Sequence, residues 1–203
     1  MDKGHTMLDL IRTRFSQWPP EPRQPVAGWP GREAAVLVPM TRAADPALIF
    51  IRRAAHLTNH GGQVAFPGGM WEPEDSSLLH TALRESEEEI ALPPEKVEVI
   101  ASLPVRTTRY EVRVSPYLGI IPAGLEFVPD RSELESVFQV PLSYLAESRN
   151  LASAEFDLPE GRCRVPCYWV GDYCIWGFTL QIVADILDNT LGLQLPLDYQ
   201  ILG

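Results

Sequence analysis

The chain has 203 residues, of which 45% are hydrophobic, enough for one domain of ordinary size with a sizeable core. Seventeen basic residues against 27 acidic ones give a net charge of −10, which excludes a broad nucleic-acid-binding surface because phosphate neutralisation supplies most of that affinity. No segment approaches the ~20 apolar residues of a membrane span, and the stretch around Leu8, Leu10, Ile11 and Phe15 lacks an unbroken apolar run of signal length, so a cytoplasmic protein without membrane contact is expected.

In chain order, a helix is predicted over about Met7 to Phe15. Residues 16–33 then hold Pro19, Pro20, Pro22, Pro25 and Pro30 beside Trp18 and Trp29, a composition that favours an extended connection. Strand-like runs at 35–39, 48–53 and 63–66 lead into the turn Phe66-Pro67-Gly68-Gly69 and an acidic helix over 75–92. Further strands are predicted at 97–103, 113–121 and 137–140, with more near 162–170 and 173–176. A last helix, about 179–187, carries Leu180, Ile182, Val183, Ile186 and Leu187 and can cover the sheet's other side. This order predicts an α/β fold, an α/β/α sandwich with a mixed β-sheet over residues 35–203, on which the helix and Pro-rich segment of residues 1–34 pack. Cys163, Cys167 and Cys174 are odd in number and lack a second metal-like pair, so buried thiols are expected rather than a disulfide framework.

The acidic helix carries most of the chemistry. At about 100° per residue, Glu85, Glu88 and Glu89 share one stripe, while Leu79, Ala82, Leu83, Ser86 and Ile90 make a second, mostly apolar one for the core. Asp75, Ser76 or Ser77 can cap its start, and Pro93 and Pro94 stop it. Like charges at these spacings repel by roughly 0.2–0.5 kcal/mol per pair, with only Arg84 nearby to offset them. A hard divalent cation would offset them too; a plain solvated acidic face is the alternative. Gly68 and Gly69 allow backbone to approach a ligand where a side chain would obstruct.

Gly69, Arg84, Glu85, Glu88, Glu89 and Leu92 resemble the signature of the Nudix hydrolases. The spacer from Gly69 to Arg84 is one residue longer than the family's, with Asp75 near its mid-spacer glutamate, and Ala91 stands where the family has glycine. Since alanine is the better helix residue, Ala91 is expected only to shift how the helix ends. Residues 53–69 are similar to the motif upstream of this box in coenzyme A pyrophosphatases, matching at Arg53, Leu57, His60, Gly62, Gln63, Phe66, Pro67, Gly68 and Gly69, with Ala54 in place of the usual serine. Residues 133–142 and 175–179 also resemble that subfamily, and the first forty or so residues lie outside the likeness.

The resemblance implies a hydrolase that cleaves a nucleoside diphosphate compound with Mg²⁺ or Mn²⁺ held by Glu85 and Glu89, Glu88 serving as a further ligand or as proton acceptor. Arg84 would orient a helix carboxylate, and Arg53, His60, Gln63, Gly68 and Gly69 would face substrate. His60 has a second reading, a loop histidine that fixes its own turn. Glu133 and Glu135 are weaker candidates for a further catalytic or metal-binding glutamate. Coenzyme A is the substrate expected first, giving 3′,5′-ADP and 4′-phosphopantetheine. ADP-ribose, NADH or a dinucleotide is the alternative, and a non-catalytic Nudix-like binding module the third. The oligomeric state is left open, with a homodimer among the options.

Overall fold

Strand β1 (Arg32–Arg42) is the spine of the computed structural model, which describes residues 6–29, 31–58 and 60–202. Pro30 and Asn59, counted in the extended segment and the upstream motif, lie outside the described residues. In chain order the other elements are α1 (Met7–Phe15), β2 (Ala47–Arg53), β3 (Val64–Ala65), β4 (Gly68–Met70), α2 (Leu78–Ile90), β5 (Glu98–Ser102), β6 (Arg106–Thr107) and β7 (Val112–Pro122). After these come β8 (Leu134–Pro141), α3 (Leu142–Ala146), β9 (Leu151–Leu158), β10 (Gly161–Val170), β11 (Tyr173–Ile175), α4 (Gly177–Leu191) and β12 (Gln200–Ile201).

The main sheet runs β3-β2-β1-β7-β5, with β8 on β2, β4 on β1 and β6 on β7. It is mixed because β1 and β7 pair parallel from Arg32/Val112 to Arg42/Pro122 while its other ladders are antiparallel. One edge of β1 is shared: Met40 pairs with Leu48 of β2, and Ala34 to Val36 pair with Met70 to Gly68 of β4. That division places the glycine turn against the middle of the sheet.

Alternation along β1 sends its side chains to two cores. Val38 and Met40 join Ile11 and Phe15 of α1 and Leu180, Val183 and Leu187 of α4. Ala35 and Leu37 meet Leu78, Ala82 and Ile90 of α2, with Tyr117 and Ile121 from β7. The result is the expected α/β/α sandwich. Alpha-helix α1 starts at a capping box in which the Thr6 hydroxyl accepts the Asp9 N–H and the Asp9 carboxylate accepts the Thr6 N–H.

The runs at 162–170 and 173–176 do not extend the main sheet. They form β10 and β11 of a second, four-stranded sheet completed by β9 and β12. Beta-strand β9 went unforeseen because Ala152, Ser153 and Ala154 give it little of the branched, alternating pattern that marks a strand. Within this sheet Cys167 and Cys174 are joined as a disulfide, which corrects the expectation of thiols at those positions; Cys163 is a buried thiol. Among the described residues no helix is long and apolar enough to cross a membrane.

Candidate active site

Helix α2 is docked on the β1–β4 edge by close backbone approach. Gly69 lies against the Glu85 carboxylate, where a Cβ would collide with it, and Gly68 has φ 149°, with a Cβ there colliding with the Ala35 carbonyl. Glycine is therefore required at Gly68 by backbone, whereas a Cβ at Gly69 would displace the Glu85 carboxylate; the Gly68 N–H donates to Glu89 Oε2 at 2.9 Å.

This approach rotates the helix from its expected setting. Leu78, Thr81, Ala82, Ser86, Glu89 and Ile90 are the buried residues, and Leu79 and Leu83 are only half-buried. The carboxylates were expected on a stripe apart from the apolar one, yet Glu89 is on the buried face at 4% exposure. The Gly68 N–H makes that burial tolerable by satisfying one oxygen. Burial nonetheless pushes the Glu89 carboxyl up to about 8, the Gly68 hydrogen bond working against it and the neighbouring Glu85 with it. Glu85 is raised as well, chiefly by burial, with Arg84 opposing. Glu88 is exposed.

Arg84 ties the group together. Its Nε and Nη2 donate to the two oxygens of Asp75 at 2.9 and 3.0 Å, its Nη1 reaches Glu88 Oε2 at 3.0 Å and Glu85 Oε1 at 3.1 Å, and Nη2 also donates to the Met70 carbonyl at 3.3 Å. Asp75 is buried and accepts from two further donors, the Glu72 N–H at 3.1 Å and the Thr81 hydroxyl at 2.8 Å. The Arg84 hydrogen bonds hold the Asp75 carboxyl well below the usual carboxylate range. Ser77, and not Asp75, caps the helix, accepting the His80 N–H at 3.1 Å. Asp75 as the anchor of Arg84 is the site residue that spacing alone did not assign, although its place in the spacer pointed to it.

The upstream motif arrives by the hairpin of β2 and β3. Arg53 Nη1 is 3.7 Å from Glu89 Oε1 and its Nη2 3.9 Å from Glu133 Oε2, so Arg53 lies between two carboxylates. Glu133 adds to the field that raises both Glu85 and Glu89, whereas Glu135 turns away to pair with Arg52 at 3.2 Å. His60 and Gln63 are one step further out. His60 Nδ1 is 2.9 Å from Gln63 Oε1, the His60 carbonyl accepts the Gln63 N–H at 3.2 Å, and the exposed imidazole stands edge-on to Tyr110. The two side chains thus hold each other and the turn. His60 itself has φ 58°, a left-handed conformation at a non-glycine position.

Arg84, Glu85, Glu88, Glu89, Gly68, Gly69, Arg53 and Glu133 are therefore brought together, and His60 with Gln63 stands at the margin. Among the described residues no three acidic, histidine or cysteine side chains form a ready coordination cage, since the carboxylates rest on Arg84, Arg53 and the Gly68 amide.

The NUDIX domain family model matches residues 31–157. The chain is similar to the Nudix hydrolase NudL of Citrobacter koseri, described as uncharacterized, at 37% identity over 186 residues, covering 92% of this chain and 96% of that one. The NudL of Salmonella typhimurium is 36% identical with the same coverage. This likeness takes in most of the N-terminal segment that the motifs alone left outside. Among solved structures, a MutT/nudix family protein from Enterococcus faecalis matches with TM-score 0.51 at 15% identity, covering 94% of this chain and 71% of that one, a likeness of fold. With the family's glycine turn, arginine and helix glutamates assembled on one sheet edge, the chain belongs to the Nudix hydrolases, enzymes that act on pyrophosphate bonds.

Proposed function

We propose that the protein is a metal-dependent pyrophosphohydrolase of coenzyme A or its derivatives, producing 3′,5′-ADP and 4′-phosphopantetheine in the cytoplasm. The observation that carries the site is the meeting of Glu85 and Glu89 at the Gly68–Gly69 turn, both carboxyls raised chiefly by burial and Glu89 further by Glu85. An all-oxygen set of this kind fits Mg²⁺ or Mn²⁺, which bind through one or two carboxylates together with substrate phosphates. Glu85 and Glu89 would hold the ion, with Glu88 beside them. When bound, it supplies neutralisation of diphosphate charge and a more acidic water.

The remaining roles fall to the chain's own groups. Arg84, locked on Asp75, keeps Glu85 and Glu88 on one side of the helix. Glu133, half exposed and 3.9 Å from Arg53, would accept a proton from the attacking water. Arg53 can leave its long contacts with Glu89 and Glu133 for a phosphate, since bidentate guanidinium suits such oxygens. Coenzyme A as substrate is supported by the motif over residues 53–69. A second reading, another nucleoside diphosphate compound such as ADP-ribose or NADH, is favoured by one observation: His60 and Gln63, the motif's polar side chains, are bonded to each other at the site's margin.

Product analysis by mass spectrometry separates the two. Purified protein with Mg²⁺ or Mn²⁺ would be given coenzyme A, ADP-ribose and NADH in parallel. Metal-dependent release of 3′,5′-ADP and 4′-phosphopantetheine with little turnover of the others is the expected result; preference for another compound would move the assignment to the second reading.

A further inference from the structure

The turn between β6 and β7, residues 108–111, is tied down along its length. The Thr108 N–H donates to the Val112 carbonyl at 2.8 Å and the Glu111 N–H to the Thr108 carbonyl at 3.0 Å, while the Thr108 hydroxyl accepts the N–H groups of Tyr110 and Val112, each at 3.3 Å. Glu111 completes the turn in the left-handed region at φ 59°, as His60 does at φ 58° in the loop that meets it. The turn is held in one shape, yet it displays to solvent an arginine, Arg109, and a large aromatic, Tyr110.

The Arg109 guanidinium lies 4.9 Å over the Tyr110 ring and its Nη2 donates to the Tyr110 hydroxyl at 2.9 Å. Arg52, Arg53, Arg106 and Arg113 are each paired with a carboxylate. Arg109 has no such partner among the described residues, in a chain of net charge −10. A stacked guanidinium with uncommitted donors suits an oxyanion that it can grip bidentately. Its place relative to the acidic cluster follows contact by contact. Arg53, beside Glu89, donates its N–H to the Gln63 carbonyl at 3.0 Å; Gln63 holds His60 at 2.9 Å; and the His60 ring stands 5.8 Å from that of Tyr110. The cation of the turn therefore lies beyond Arg53 on the side of the upstream motif.

We propose that Arg109 binds the 3′-phosphate of the substrate, a reading that rests on the coenzyme A activity proposed above. In that substrate the ribose separates the diphosphate from the 3′-phosphate, so a second cation is needed one sugar beyond the group that holds the diphosphate. Arg53 stands at the first position and Arg109 at the second. Tyr110 is a positioning residue, its ring and hydroxyl fixing the guanidinium plane, and the hydrogen-bonded turn reduces the ordering that binding costs. ADP-ribose and NADH carry no phosphate on that carbon and gain nothing from Arg109. The turn thereby takes a part in substrate choice that His60 and Gln63, bonded to each other, leave open.

The test compares two pairs of compounds on the full chain in Mg²⁺ at low salt, where exposed charges are least screened. One pair is coenzyme A and 3′-dephospho-coenzyme A, read as kcat/KM. The other is 3′,5′-ADP and 5′-AMP, read by calorimetric titration, since neither has a diphosphate to cleave. Wild type is expected to favour the 3′-phosphorylated member of each pair at least about tenfold, the worth of a charged hydrogen bond. Arg109→Ala should bring both ratios below about twofold, and Arg109→Lys, which keeps the charge and loses the fork, should retain part of them. Tyr110→Ala should narrow the ratios and Tyr110→Phe, which keeps the ring, should restore most of the difference. A ratio taken within one variant cancels general losses of activity. Equal handling of each pair by wild type would overturn the proposal, as would a preference that survives in folded Arg109→Ala. Cleavage of coenzyme A without any 3′-phosphate preference sinks the Arg109 contact and leaves the hydrolase; an Arg109-dependent preference for 3′,5′-ADP in a protein that leaves coenzyme A intact does the reverse.

Discussion

A carboxylate as buried as Glu89 is tolerated by a fold when something compensates its charge, and here one backbone N–H and a distant guanidinium supply only part of that compensation. On the proposed assignment, Glu85→Gln and Glu89→Gln should each lower kcat by at least roughly 10²-fold, with melting temperatures close to wild type. Steady-state kinetics beside a thermal melt reads both. Near-normal kcat in either variant would remove that residue from the catalytic centre. Asp75 is a different case, because its charge is fully engaged by Arg84, Thr81 and the Glu72 N–H. With its folded-state pKa depressed, its contribution to stability is complete above the ordinary aspartate value of about 4 and fades as pH falls through that value toward the folded one. Asp75→Asn should therefore cost about 2 kcal/mol at pH 7 and much less at pH 2, as denaturant titrations at the two pH values would show. The glutamates of the stripe were legible as candidates because their spacing is a helix property. Asp75 was marked only by its place in the spacer, because its bonds to Arg84 depend on a loop path that no periodicity encodes.

Helix α2 is the element on which the site depends, and both its ends are encoded. Ser77 at the start is one of the three caps the sequence offered. At the other end Ala91 adopts φ 53° and ψ 39°, its N–H bonded to the Glu87 carbonyl at 2.9 Å while the Leu92 N–H reaches that of Ser86. Helix propensity, the ground for expecting alanine to be harmless there, does not apply to a left-handed cap, where any Cβ is strained by about 1 kcal/mol. Ala91→Gly should raise stability by about that amount, seen as a rise in Tm of about 2–4 °C at unchanged kcat. A fall in Tm would mean that the cap geometry is wrong. The setting of α2 about its own axis was also beyond sequence reasoning. Residue types put Leu79 and Leu83 inside, but contact with the Gly68–Gly69 backbone selects small residues and Glu89 for the tight face.

At the scale of the molecule, the order of elements was enough to predict two helical layers on a mixed sheet, since each predicted helix lies between strands or beside them with one apolar face. The N-terminal helix α1 illustrates how tightly the layers depend on each other: Ile11 and Phe15 are wholly buried against α4 and the sheet. Phe15→Ala should cost about 3–5 kcal/mol, measured by denaturant unfolding, and a cost below about 1 kcal/mol would show that α1 is not part of the cooperative unit. What the sequence did not disclose at this scale was partition. Runs with equal strand character joined different sheets, because pairing partners depend on long-range register that local pattern leaves free. A cavity lined by Pro25, Val26, Trp29, Glu33, Met70 and Trp71 was equally hidden, as it is made by the Pro-rich segment folding back on β1 and β4.

The account stands on one claim above the rest, that the glutamates of α2 and the Gly68–Gly69 turn form a single divalent-cation site. Mn²⁺ binding followed by electron paramagnetic resonance in wild type and Glu89→Gln tests it most directly. Saturable binding in wild type, weakened at least about tenfold in a folded Glu89→Gln, is the predicted result; equal binding by both proteins would contradict it.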